Sequence, residues 1–143
     1  MTTTASPQKT ERVSLRRLLW VGPLAIVAAV AANFVVRALA LAVLDVPADF
    51  IQLQSPAFLP FTVVGVLGAV IAFALVGRLS RAPVRAYTRL AIVVLVLSFI
   101  PDIGLLVSGA PGATLPGVLV LMVMHTVAAV VAVGILTRLR VEG

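Results

Sequence analysis

No cysteine occurs among the 143 residues, which excludes disulfides, thiolate metal sites, iron–sulfur clusters and thiol catalysis. The single histidine, His125, excludes bis-histidine haem ligation within one chain. Charge is scarce too: 11% of residues are Asp, Glu, Lys or Arg, where a soluble domain carries about a quarter. What fills the chain instead is apolar, at 62% hydrophobic with a mean hydropathy of +1.20. That leaves too little polar surface to cover a water-soluble globule. The sequence reads as an integral membrane protein.

Four apolar runs follow a polar start: Leu18 to Leu44, Phe58 to Val76, Leu90 to Val107, and Leu115 to Leu136. Each is long enough to cross a hydrocarbon core of ~30 Å as a helix. Lipid cannot satisfy the backbone groups of an open sheet, and the runs lack the alternation of a barrel strand. The expected fold is all-α, an antiparallel four-helix transmembrane bundle spanning 18–140. Residues 1–17 are expected to form a mobile basic cytoplasmic tail.

Ten basic residues flank one side of these spans: Lys9, Arg12, Arg16 and Arg17, then Arg78, Arg81, Arg85 and Arg89, then Arg138 and Arg140. The connections Asp45–Ala57 and Ser108–Thr114 carry none. The positive-inside rule therefore predicts a multi-pass protein of the plasma membrane with both termini cytoplasmic. The net charge of +6 points to anionic lipid headgroups and not to nucleic acid, because the arginines sit beside the spans. The stretch Ser14-Leu15-Arg16-Arg17-Leu18-Leu19 loosely resembles a twin-arginine export signal. The apolar run behind it is too long for a signal core, and three more spans follow, so it is read as a retained helix.

Prolines and small residues punctuate the spans. Pro60 and Pro116 are expected in opening turns, and Pro23 near the start of the first helix. Pro101 lies well inside the third helix and should bend it. Gly65-x-x-x-Ala69 and Ala128-x-x-x-Ala132 allow close helix contact, within the monomer before any dimer seam. Asn33-Phe34-Val35-Val36-Arg37 and Ser98-Phe99-Ile100-Pro101-Asp102 share a pattern of polar, Phe, two others, charged. Chance accounts for it at least as well as ancestry by duplication.

Together, the basic start, Gln54-Ser55-Pro56-Ala57-Phe58-Leu59-Pro60-Phe61-Thr62, Arg78 and Ser98-Phe99-Ile100-Pro101-Asp102 resemble a family of small four-span actinobacterial membrane proteins, a domain of unknown function. The resemblance covers Leu15 to Arg140. It implies a bacterial plasma membrane and carries no activity.

The few polar groups inside the spans need a reason, since a central charge costs roughly 2.5–3.5 kcal/mol on insertion scales. Helix rise puts Arg37 ~28 Å up helix one, Asp102 ~20 Å up helix three and His125 ~15 Å down helix four. Asn33 and Ser98 lie one turn from Arg37 and Asp102. These five are the binding candidates: Asn33, Arg37, Ser98, Asp102 and His125, converging on one outward-facing polar pocket. The central expectation is an Arg37–Asp102 ion pair forming its charged wall. Each residue also has a plainer role. Arg37 can snorkel to headgroups, Asp102 can satisfy backbone freed by Pro101, and His125 can bond across the helix interface, to Ser98 for example. Asp45 and Asp49 are read as solvated loop carboxylates before a cation site, and Phe50, Phe58 and Phe61 as interfacial anchors.

Catalytic templates fail. A triad of Ser98, His125 and Asp102 is strained because two members share a helix. No cofactor and no metal site are expected. The functional reading is a binding or accessory membrane protein. Its expected partners are membrane lipids, a protein partner or second copy, and a small amphiphilic ligand, with no nucleic acid. A proton-coupled transporter or channel using Asp102 and His125, and a membrane enzyme acting on a lipid or isoprenoid, are the alternatives.

Overall fold

The computed structural model of the chain describes residues 15–138, so residues 1–14 of the expected tail lie outside it, while Leu15, Arg16 and Arg17 fall in the first helix. Four helices run α1 (Leu15–Val43), α2 (Ser55–Leu79), α3 (Pro83–Val107) and α4 (Leu115–Thr137), with a 3-10 turn at Ile51–Leu53. The shortest has 23 residues, about 35 Å of rise. All four are long and apolar enough to cross a membrane. The chain is a multi-pass, all-helical membrane protein.

The helices outrun the apolar runs that announce them. Hydropathy marks the part bathed in hydrocarbon, whereas backbone hydrogen bonding continues into the headgroup zone. Thus α3 starts at Pro83 and not Leu90, and Arg85 and Arg89 lie on the helix. Only Ser80, Arg81 and Ala82 link α2 to α3, and so tight a link forces the two antiparallel. Likewise α2 opens with Ser55-Pro56, so Pro60 sits inside the helix instead of in its first turn. Pro116 does open α4, where Thr114 caps by accepting from the Gly117 N–H at 3.3 Å. α3 is continuous through Pro101, which offers no N–H to the carbonyl of Leu97.

α1 and α3 each pack on α2 and α4, and α2 and α4 also meet across the centre. α1 and α3 therefore occupy opposite corners. Of the most apolar stretch of α4, 28% is buried, against 6% for α3, so α4 is the central post and α3 the most lipid-facing helix. The apolar core is divided. At the end bearing the termini, Leu18, Ala25, Ala29, Val66, Phe73, Tyr87, Ala132 and Leu136 cluster, with the Tyr87 ring edge-on to Phe73 at 4.9 Å. Ala69 and Ala128 pack there, while Gly65 faces open space.

At the other end Ala40, Phe50, Leu53, Phe58, Val118, Val120, Leu121 and Met124 form the second cluster. Phe50 is fully enclosed and Phe58 nearly so, which corrects their reading as interfacial anchors; Phe61 remains exposed. The connection folds inward because its 3-10 turn carries Phe50 and Leu53 over the open end of the bundle. The second connection closes on it at Gly112, whose φ of +68° suits glycine. A Cβ there would collide with the Phe50 backbone nitrogen and lie 2.7 Å from Asp49 Oδ1.

Candidate functional site

A band of polar side chains lies between the two apolar clusters, and it divides by hairpin. On α1, Asn33 is 2% exposed. Its Nδ2 donates to Thr62 Oγ1 of α2 at 3.1 Å, and the Thr62 hydroxyl donates to the Phe58 carbonyl at 2.9 Å. Asn33 Oδ1 is enclosed without a hydrogen bond. One turn further along, the half-buried Arg37 donates from Nε to the Leu53 carbonyl at 2.6 Å. This carbonyl ends the 3-10 turn, so Arg37 pins the connection that carries Phe50 and Leu53 into the bundle.

The expected Arg37–Asp102 pair does not form. Its two residues belong to α1 and α3, the helices at opposite corners, and similar depth cannot bring opposite corners together. Asp102 instead meets α4, where His125 Nδ1 lies 3.0 Å from its Oδ2, the one ion-pair contact among the described residues. The same Nδ1 is 2.9 Å from the Leu121 carbonyl, one turn back on α4. A carbonyl oxygen only accepts, so Nδ1 donates to Leu121; Asp102 Oδ2 lies beside that nitrogen without a hydrogen bond, and Nε2 is left for other partners.

Exposure in this pair is lopsided: 43% of the His125 side chain is accessible and 7% of the Asp102 side chain. The position makes that unusual. Val118, Leu121, His125, Ala132 and Leu136 share one face of α4 at helical spacing, and all but His125 are buried. Ala128, on the same face, is half-buried, and the residue exposed on this seam is His125, beside the buried Asp102. Of the two carboxyl oxygens, only Oδ2 is enclosed without a hydrogen bond.

Ser98, one turn before Asp102, donates its hydroxyl to the Leu95 carbonyl of its own helix at 2.6 Å. It neither bonds His125 nor completes a triad with it. The five candidates thus fall into separate groups: Asn33 with Thr62, Arg37 with the Leu53 carbonyl, Asp102 with His125, and Ser98 on its own backbone. A cleft of about 410 Å³ between α1 and α4 is lined by Val36, Ala40, Leu44, Leu119 and Val123 among others, all apolar, and by none of the five. The described residues contain no group of three His, Cys, Asp or Glu able to hold a metal. Asp45 and Asp49 are exposed, and Gln54 donates to the Ala48 carbonyl.

Thr62 is the participant that reading along the chain passes over. Its signal is present, a lone hydroxyl seven residues into α2, but threonine is so easily satisfied by its own helix that it draws no notice. The Leu53 carbonyl, being backbone, has no signal at all.

The chain matches the model of a family of unknown function, DUF6069, over residues 13–141, and it belongs to that family. No curated protein and no solved structure matches it.

Proposed function

We propose that this DUF6069 chain is a binding or accessory protein of the bacterial plasma membrane whose recognition element is the His125–Asp102 pair. One observation carries the reading: His125 is the exposed residue on the packed face of α4, beside Asp102, whose side chain is 7% exposed. Ionisable groups in a span are costly and normally face the bundle interior. An imidazole turned outward at mid-span, braced on Nδ1 by the Leu121 carbonyl, is suited to a polar group arriving from within the membrane. Structural pairing alone would be served as well by burying both partners.

The threading that goes with this reading puts both termini in the cytoplasm. Arg16, Arg17, Arg78, Arg81, Arg85, Arg89 and Arg138, all exposed, lie at the helix ends on the termini side, whereas Asp45 and Asp49 lie in the first of the opposite connections. That asymmetry supports anionic headgroups as lipid partners on the arginine side. A cysteine introduced at Ser6 stays unlabelled by an impermeant reagent in intact cells if this threading holds.

The site is tested by isolating the protein from its native membrane in mild detergent and weighing the complex by mass spectrometry. The parent is expected to retain an amphiphile that His125→Ala and Asp102→Asn release, with thermal unfolding little changed in His125→Ala. Identical bound species in parent and variants overturn the reading.

A further inference from the structure

The opening at His125 has a definite donor and acceptor pattern, and that pattern narrows what it can hold. Nδ1 is committed inward to the Leu121 carbonyl at 2.9 Å, with Asp102 Oδ2 3.0 Å from it and without a hydrogen bond. The groups left to meet a ligand are Nε2 of the half-exposed ring and Oδ1, since the 7% accessibility of the Asp102 side chain does not lie at the enclosed Oδ2. Within a span the pair is least costly with no net charge. Two arrangements satisfy this, and they differ by the position of one proton.

In the first, imidazolium faces carboxylate: Nε2 donates and Oδ1 accepts. In the second, imidazole faces carboxylic acid: Nε2 accepts and the O–H on Oδ1 donates. Either way the pair offers one donor and one acceptor. An ether or ketone only accepts, and an ammonium group only donates. A hydroxyl does both, and it fits both arrangements without requiring the proton to be fixed.

We infer that the His125–Asp102 opening takes the hydroxyl head of a neutral, membrane-dissolved alcohol whose apolar tail lies among the acyl chains beside α3. The tail needs no dedicated channel. α3 presents Leu97, Ile100 and Ile103 to the bilayer on the turns around Asp102, each about half or more exposed. This inference rests on the preceding reading that the pair is a ligand site, and the test separates the two.

Because His125 is the only histidine, ¹⁵N-histidine labelling reports this ring without assignment ambiguity. The full chain is placed in phosphatidylcholine nanodiscs, first with a lipid bearing a nitroxide along its acyl chain. Broadening of the ring signals is expected; its absence means that the ring does not meet the bilayer and overturns both readings. Hexadecan-1-ol and hexadecyl methyl ether are then titrated separately. The alcohol is expected to give a saturable shift of the Nε2 resonance, with the ether binding about fivefold more weakly, as loss of one hydrogen bond implies. Equal responses to the two probes, or a response to neither in a ring that the nitroxide broadens, overturn the alcohol assignment and leave the site reading standing.

Discussion

In the hairpin α1–α2, Asn33 and Thr62 close on each other and Arg37 is tied to the backbone of its own connection. In the hairpin α3–α4, Asp102 is covered by a histidine that is itself 43% open. Both hairpins place a polar side chain and a charged one a turn apart, at 33 and 37 and at 98 and 102. What differs is the element available to meet them. The first hairpin has a long connection that folds back and supplies a carbonyl oxygen at the right height. The second has a short connection, and the partner comes from mid-span on α4, where the seam opens. A charge satisfied by backbone braces the fold, whereas a charge that meets an accessible side chain stays within reach of the surroundings.

Four measurements would break or sharpen that contrast. Phe50→Ala removes the ring that the braced connection inserts, and it should cost the most, ~3–5 kcal/mol of unfolding free energy in detergent. A loss below ~1 kcal/mol would mean that the connection only rests on the bundle. Arg37→Ala should come next, at ~1.5–3 kcal/mol, the range for a hydrogen bond to a charged group. Combined with Asp102→Asn its effect should add to within ~0.5 kcal/mol, since the two sites share no partner. A larger coupling energy would join the hairpins that the structure keeps apart.

Asn33→Ala and Thr62→Val probe a neutral bond within the span, where interhelical hydrogen bonds average ~0.6 kcal/mol. Their double-mutant cycle should show coupling of that order, and none would indicate that Thr62 serves only its own helix. His125→Ala should cost least, within ~1 kcal/mol, because the ring is half-exposed and contributes mainly its contact with Asp102. A loss as large as that of Arg37→Ala would make His125 a structural brace, and the distinction between the hairpins would fail.

Much of this was legible along the chain. The four spans follow from the apolar runs because only a helix of ~20 such residues can satisfy its backbone in lipid. The polar residues of the spans were legible as a set, and their arrangement was not. Arg37 and Asp102 match in depth and in sign of charge, and depth is all that rise per residue conveys. Which helices are neighbours is a property of packing around the bundle axis, and hydropathy is blind to it. The phenylalanines failed for a related reason: an aromatic residue at a span boundary has the same sequence signature whether it faces headgroups or folds inward. Phe61 does the first; Phe50 and Phe58 do the second.

By itself, then, the sequence determined the number of spans and the short roster of polar residues that must find partners, because both follow from local transfer costs summed along the chain. Only the tertiary structure decided that Arg37 turns to the Leu53 carbonyl, that Asp102 turns to His125, and that the α4 seam opens at the imidazole. Those outcomes depend on which helices share an edge of the bundle and on how a connection folds back between them. Contact between residues distant in sequence is a matter of relative position, and no per-residue energy contains it.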